Sequence, residues 1–534
     1  MATPVYDCDF VVIGSGFGGS VAAMRLVEKG FKTMILEQGQ RFTPDTLPKT
    51  TAELTRWYFL PKLGLKGFFS MRLFGHMLVL HGNAVGGGSI TYASTLLVPP
   101  TSVWQQGTWA QTKAWDNVMP KHYAQAEKML GVAVNRQFGY ADDTLKKMAE
   151  AYGVGDSFYP TRVGIYFGDD DEHSHPPING DPYFQGMGPK REPCVACGGC
   201  IVGCRYRAKN TLDYNYLYFA EQRGADLRPQ SRVTRIQPLS DDGRLGYAIH
   251  YVDANKRRHT LTTRGLVLSA GTLGTMKLLF QMRDAGLLPH LSPALGKNVY
   301  TNAESIIGVR FAGAQQDYSQ GVAIGSGIYL NPHTHIEATR YPKGSDTMGF
   351  LLTFMHPHLQ GRVPMLTWLR YVFSNTLKHP RTMLQALRPK NFAQECMIFL
   401  CMQTLEHTLT MRYERGLFGK RLKTLGHKIP ATIPEANAFA QAAAKLTGGM
   451  AMTCLVDVFL NIPITAHCMG GCAIAATPEH GVCDAQHQVF GYQHFYICDG
   501  SNISANLGVN PSLTITALAE AAMSELPAAD AYQW

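Results

Sequence analysis

The 534-residue sequence has no uninterrupted apolar stretch long enough to cross a bilayer, which argues against a transmembrane helix. It also shows no secretory leader, because Met1 to Phe10 carries acidic residues and runs straight into a strand-like segment. Without a leader, the twelve cysteines read as thiols or metal ligands ahead of disulfides. Charge is sparse at 17% of residues, and the net +9 is too modest to suggest a nucleic-acid partner. One long segment lacks acid altogether. From Thr347 to Gln394 there is no Asp or Glu, while Arg362, Arg370, Lys378, Arg381, Arg388 and Lys390 are spread among Trp368, Leu369, Phe373, Met383, Leu384 and Leu387. A second basic and aromatic stretch, Leu60 to Phe74, has a similar character. Such segments suit either an anionic membrane interface or a lid over an apolar pocket. The expected location is the cytoplasm, with peripheral contact at the inner membrane face as an extension of that reading.

What is abundant is glycine, at 53 residues, and the first cluster of it is informative. The apolar run Asp9 to Ile13 leads into Gly14-Ser15-Gly16-Phe17-Gly18-Gly19, then into a helix-like segment from Ser20 to Glu28. A second strand, Lys32 to Leu36, ends in Glu37. This is a dinucleotide-binding βαβ fingerprint in its proper context. Gly14 makes the turn, Gly16 lets backbone approach a pyrophosphate, and Gly19 lets helix and strand pack closely. The helix N-terminus supplies N–H groups and partial positive charge for the phosphates. Glu37 is placed to accept hydrogen bonds from a ribose, a feature common to NAD and FAD sites.

The C-terminal third separates those cofactors. It contains His467-Cys468-Met469-Gly470-Gly471-Cys472, Tyr496-Ile497-Cys498-Asp499-Gly500-Ser501 and Asn510-Pro511-Ser512-Leu513-Thr514-Ile515. Val85-Gly86-Gly87-Gly88-Ser89 and Val267-Leu268-Ser269-Ala270-Gly271-Thr272 lie between. In this order the blocks resemble the glucose-methanol-choline (GMC) oxidoreductases, in particular the branch with asparagine at the later active-site position. The resemblance implies an α/β FAD-binding domain of the Rossmann-type GMC fold, with an α+β substrate-binding domain built on an antiparallel sheet. The expected boundaries are 1–110, 225–305 and 460–534 for the FAD domain. A helical and cysteine-loop insertion is expected at 111–224, and the substrate domain at 306–459. The implied contacts to non-covalent FAD are Gly14, Gly16, Phe17, Gly19, Glu37, Gly87, Ser89, Val233, Ala270, Gly271, Asp499, Gly500, Asn510 and Pro511.

Alcohol oxidation needs an aligned C–H and a group that manages the hydroxyl proton while hydride leaves. The resemblance puts His467 and Asn510 at the substrate oxygen. It also implies a glutamate ahead of an apolar strand, which is matched here by Glu395 before Cys396-Met397-Ile398-Phe399-Leu400, with Glu406 as competitor. The expected reaction is oxidation of a secondary alcohol on a hydrophobic, 3β-hydroxysteroid-like molecule. A terpenoid or other alicyclic alcohol, and an electron-relay flavoprotein without alcohol chemistry, are the rival readings.

Cys194-x-x-Cys197-x-x-Cys200-x-x-x-Cys204 has the spacing of a bacterial ferredoxin run, with Arg205 where proline is usual. An iron–sulfur cluster of three or four irons, a zinc site, and a metal-free thiol loop all stand as readings. The first would give the flavin an exit toward a redox protein or quinone.

Overall fold

The computed structural model describes residues 5–168, 170–357, 363–378, 380, 383, 388–416 and 419–534. Arg362, Arg381, Leu384 and Leu387 lie outside the described residues.

The fold grows from the apolar strand Cys8–Ile13, which pairs in parallel with Thr33–Leu36 on one side and with the upper half of Arg258–Leu268 on the other. Strands buried on both faces need apolar residues at every position. Here Phe10 and Val12 enter one core cluster, while Val11 and Ile13 enter the opposite one. The first face is covered by the helices Phe17–Glu28, Trp115–Leu130 and Ser512–Ser524. The second is covered by Thr272–Asp284 together with the turned-over strands Arg232–Pro238 and Tyr247–Val252. Asp226–Arg228 and Phe495–Ile497 add parallel strands from distant parts of the chain, so the sheet draws on three separated segments.

A second seven-stranded sheet is antiparallel throughout, in the order Leu352–Phe354, Met450–Cys454, Ser305–Arg310, Cys396–Gln403, Thr334–Thr339, Ile324–Asn331 and Tyr159–Pro160. Side chains alternate across a strand. Ile307, Val309, Ile336, Ala338, Met397 and Phe399 accordingly pack under Phe439, Ala440 and Ala443 of the helix Pro434–Thr447. The opposite face carries Ile306, Ile324, Leu400 and Met402 as an apolar patch. That face looks toward the C-terminal motifs, and it positions the site. The Rossmann-type and antiparallel parts expected from the sequence are both present. Among the described residues, no helix is long and apolar enough to cross a membrane.

Candidate active site

The glycines of the N-terminal turn divide into two kinds. A Cβ at Gly14, which has φ +99°, would come within 2.1 Å of the Ser269 carbonyl oxygen. At Gly18 it would meet the Cys498 oxygen at 1.9 Å, and at Gly19 the Gly14 oxygen at 2.1 Å. These three glycines serve protein packing. Gly16 does not: its φ of −73° suits any residue, and a Cβ there meets nothing nearer than Gly87 Cα at 3.9 Å. Space that the protein leaves open beside a helix N-terminus fits a dinucleotide pyrophosphate.

Other elements close around that opening. Gly87, at φ +52°, lies directly over Gly16, and Ser89 Oγ donates to the Gly86 carbonyl at 2.7 Å while accepting from Leu212 N at 3.1 Å. Phe17 is buried edge-on against Tyr92. Gly271 caps the helix Thr272–Asp284 with no protein atom within 4 Å of a Cβ position, a second open edge. Asp499 accepts from Ser501 N and Oγ at 2.8 and 2.6 Å and from Thr275 Oγ1 at 2.5 Å, which sews the Asp499–Gly500 turn to that helix. Ala270 N is held by Thr275 Oγ1 at 3.2 Å.

Glu37 is buried, and burial pushes its carboxyl up. Its Oε2 accepts from Ser15 N and Oγ, and its Oε1 from Gly39 N at 2.7 Å. Ser231 N bonds the Glu37 carbonyl at 2.7 Å, which brings Val233 to the same end.

The second half of the site is polar and sits against the apolar sheet face. Asn510 Nδ2 donates to Glu337 Oε2 at 3.1 Å, while Asn510 Oδ1 and Glu337 Oε1 are buried without partners. Asn510 immediately precedes Pro511, the cap of the helix Ser512–Ser524. The turn before it is held by Asn302, whose amide accepts from Gly508 N at 2.9 Å and donates to Val509 O at 3.0 Å. His467 Nδ1 lies against Glu304 Oε1, and neither atom has another hydrogen-bond partner. Glu304 Oε2 accepts from Ala466 N at 2.7 Å, and His467 N donates to Thr465 Oγ1 at 2.9 Å. With Nδ1 engaged by a carboxylate, Nε2 is the ring nitrogen left to face a ligand. Asn302 and Ala303 both have positive φ, +59° and +44°, an uncommon conformation for non-glycine residues that turns the chain just before Glu304.

Burial is the main cause that pushes the Glu337 carboxyl up to about 7, with the nearby Glu304 adding to it and Asn510 and His467 opposing it. Between the ordinary value of 4.5 and about 7, the folded chain keeps a proton that the unfolded chain has released. Stability attributable to this group is therefore full below pH 4.5 and is lost as pH rises through about 7. Glu337→Gln removes that dependence. The melting temperature of the variant should gain on wild type as pH rises from 4.5 to 7; a constant difference across the window would refute it.

The structure thus brings His467 and Asn510 to the same carboxyl, Glu337, and places Glu395 elsewhere. Glu395 accepts from the buried Arg310 at 3.0 Å, at the far end of the strand Cys396–Gln403. Glu337 lies directly opposite Leu400 of that strand, five residues from Glu395, or about 17 Å along it. Glu406 is exposed in the turn beyond. Sequence reasoning missed both Glu337 and Glu304. The signal for Glu337 was an acid at every-second-residue spacing from His335, alternating with the apolar Ile336 and Ala338. No local signal marked Glu304.

Cys194, Cys197, Cys200 and Cys204 line one cavity together with Lys209, Ala208 and Ile165. Backbone N–H groups of Ala196, Gly199 and Ala323 bond the sulfurs of Cys194, Cys197 and Cys200. Among the described residues, only Glu127, Glu172 and His173 gather three ligand atoms within 4.8 Å of one another, so the thiols are spread more widely than that.

Residues 189–303 and 428–519 match GMC oxidoreductase family profiles, and residues 12–71 match an NAD(P)-binding Rossmann-like domain. A cholesterol oxidase of Acinetobacter baumannii is 50% identical over 98% of this chain and 95% of its own length. A cholesterol oxidase of Mycobacterium tuberculosis is 41% identical over 98% and 91%. A 2-methyl-1,2-propanediol dehydrogenase of Mycolicibacterium austroafricanum is 24% identical over 97% and 95%. The crystal structure of pyridoxine 4-oxidase from Mesorbium loti superposes with a TM-score of 0.63 at 15% identity, over 97% of this chain and 99% of that one, and shares the fold. Near-complete alignment at half identity, together with the family profiles, leaves one conclusion: the protein belongs to the GMC oxidoreductase family.

Proposed function

We propose that this chain oxidises the secondary hydroxyl of a sterol, of the 3β-hydroxysteroid type, with FAD as hydride acceptor. The observation that carries the reading is that His467 and Asn510 both act on Glu337, on a sheet face that also carries the apolar Ile306, Ile324, Leu400 and Met402. An apolar wall with a few convergent polar groups suits a large greasy alcohol. The names of the cholesterol oxidases that align end to end support the same class.

Bound FAD supplies the hydride-accepting chemistry. The chain's residues do the rest. Gly16 and Phe17 would leave the helix N-terminus open to the pyrophosphate, Gly19 packs the helix on its strand, and Glu37 and Val233 would hold the adenosine end. Gly87, Ser89, Ala270, Gly271, Asp499, Gly500 and Pro511 would hold the rest of the cofactor. His467 Nε2 takes the hydroxyl proton while Glu304 fixes the ring, and Asn510 holds Glu337, whose carboxyl when protonated can donate to the carbinol oxygen. Segments 1–110, 225–305 and 460–534 carry the cofactor in this reading, 111–224 the cysteine loop, and 306–459 the sterol.

Two finer points belong to it. The helix Met365–Lys378 buries Trp368 but exposes Leu366, Leu369, Phe373 and Leu377 as one row, beside Arg370 and Lys378, which suits peripheral contact with an anionic bilayer where sterol resides. The four-cysteine cavity suits an iron–sulfur cluster that passes flavin electrons to a quinone or redox protein.

Anaerobic titration of the holoenzyme tests the central reading. A 3β-hydroxysterol should bleach the flavin stoichiometrically, and a 3-ketosteroid should not. Bleaching by an alicyclic terpenoid alcohol alone would move the assignment to that substrate class. No bleaching by any alcohol would leave an electron-relay flavoprotein.

A further inference from the structure

Lys209 is a buried ammonium, 1% exposed, set in the wall of the four-cysteine cavity. Its Nζ donates to the carbonyl oxygens of Ile90, Tyr92 and Cys200 at 2.9, 2.8 and 2.7 Å, and it lies 4.6 Å from the Tyr92 ring. Among the described residues no carboxylate is within ion-pair reach of it; Asp213 acts on it only electrostatically from farther away. An ammonium buried without a counter-charge is costly, and carbonyl dipoles offset only part of that cost. Its strongest electrostatic partners are Cys200 and Cys204. Neutral thiols would leave the cation uncompensated, whereas thiolates around an anionic core would not.

The spread of the sulfurs selects the core. One zinc ion with ~2.3 Å bonds would draw its tetrahedral sulfurs to about 3.8 Å from one another. No three of the four sulfurs lie within 4.8 Å of one another, a wider set than a single zinc ion would hold. Ala196 N–H donates to Cys194 Sγ at 3.4 Å, the kind of contact that tunes such a centre.

The same lysine is also a mechanical link. Ile90 ends the short helix Gly87–Ile90, which lies over Gly16, and Thr91 Oγ1 donates to the Ile201 carbonyl at 3.2 Å. The cysteine loop is thereby pinned to the glycine turn of the FAD cradle by Lys209 from one side and Thr91 from the other.

We propose that Lys209 is the fixed counter-charge of an anionic iron–sulfur cluster held by Cys194, Cys197, Cys200 and Cys204, and that it ties this cluster to the turn over the flavin. The inference rests on the cluster reading given above, and the experiment separates the two. Holoenzyme purified anaerobically should contain iron and acid-labile sulfide, and Cys197→Ser should lose both. Absence of iron and sulfide from the wild type, or zinc in their place, overturns the cluster itself. With the cluster present, Lys209→Met should shift its reduction midpoint to more negative values or lower its occupancy, because loss of a nearby positive charge disfavours the added electron. Lys209→Arg, which keeps the charge, should restore the midpoint. A full cluster with an unchanged midpoint in Lys209→Met overturns the role of Lys209 while leaving the cluster standing. If Lys209→Met does not fold, the wild type decides: stripping its cluster with chelator must lower the melting temperature, and an unchanged melting temperature overturns the counter-charge.

Discussion

His467→Gln should retain FAD yet reduce it with alcohol roughly 10²–10⁴-fold more slowly, the usual effect of removing a general acid–base group. That range corresponds to about 3–5 kcal/mol of lost transition-state stabilisation. The histidine is not free to be an ordinary core residue. Its Nδ1 is engaged by Glu304, Glu304 is fixed by Ala466 N, and Thr465 Oγ1 binds the backbone on both sides, donating to Thr301 O at 3.0 Å and accepting from His467 N. This leaves the imidazole one orientation and one free nitrogen. Glutamine keeps hydrogen-bonding capacity at similar length but cannot take a proton near neutral pH, so binding should survive better than chemistry. Stopped-flow absorbance of the flavin in a single anaerobic turnover reads the step directly. The parallel variant Glu304→Gln leaves His467 in place and should slow reduction less. Near-normal reduction in His467→Gln would remove the histidine from the mechanism.

The parts of this site that could be read from sequence are those whose function is written in neighbouring residues. The Gly14 to Gly19 turn follows its strand and opens its helix, so Gly14, Gly16 and Gly19 could each be given a task from position, whereas the packing of Gly18 on Cys498 could not. The blocks at His467, Asp499 and Asn510 were similarly legible, as each joins a polar residue to a tight turn or helix start. Glu337 and Glu304 are different. Their importance depends on which face of an antiparallel sheet looks at Asn510, and that follows from register between strands some sixty residues apart. The glutamate expected ahead of the strand Cys396–Gln403, Glu395, is held by the buried Arg310 at the opposite end of that strand from Leu400 and Glu337. Glu304 depends on two consecutive positive-φ residues, Asn302 and Ala303, that no composition rule anticipates. The cysteine run announced itself by spacing, but the buried cation in its wall did not, since Lys209 becomes notable only through the absence of an acid in three dimensions.

Gly16→Val should give folded protein with at least roughly tenfold less FAD, a loss of about 1.4 kcal/mol or more in cofactor binding. The reason lies in what the protein itself does not require at that position. Backbone at Gly16 is extended and open to any residue, and a Cβ would meet no protein atom closer than 3.9 Å. Valine therefore projects into the space beside the helix N-terminus, where a pyrophosphate must approach the backbone N–H groups. Gly18→Ala supplies the contrast. There the Cβ would lie 1.9 Å from the Cys498 oxygen, so helix and strand must move apart, at a typical overpacking cost of about 1–3 kcal/mol. The two substitutions should consequently separate in thermal melts of cofactor-stripped protein: Gly16→Val melting with stripped wild type, Gly18→Ala below it. Flavin absorbance after refolding with excess FAD completes the comparison. Stoichiometric flavin in Gly16→Val would mean that the open edge of this turn does not face the pyrophosphate, and the cradle built on it would have to be placed elsewhere.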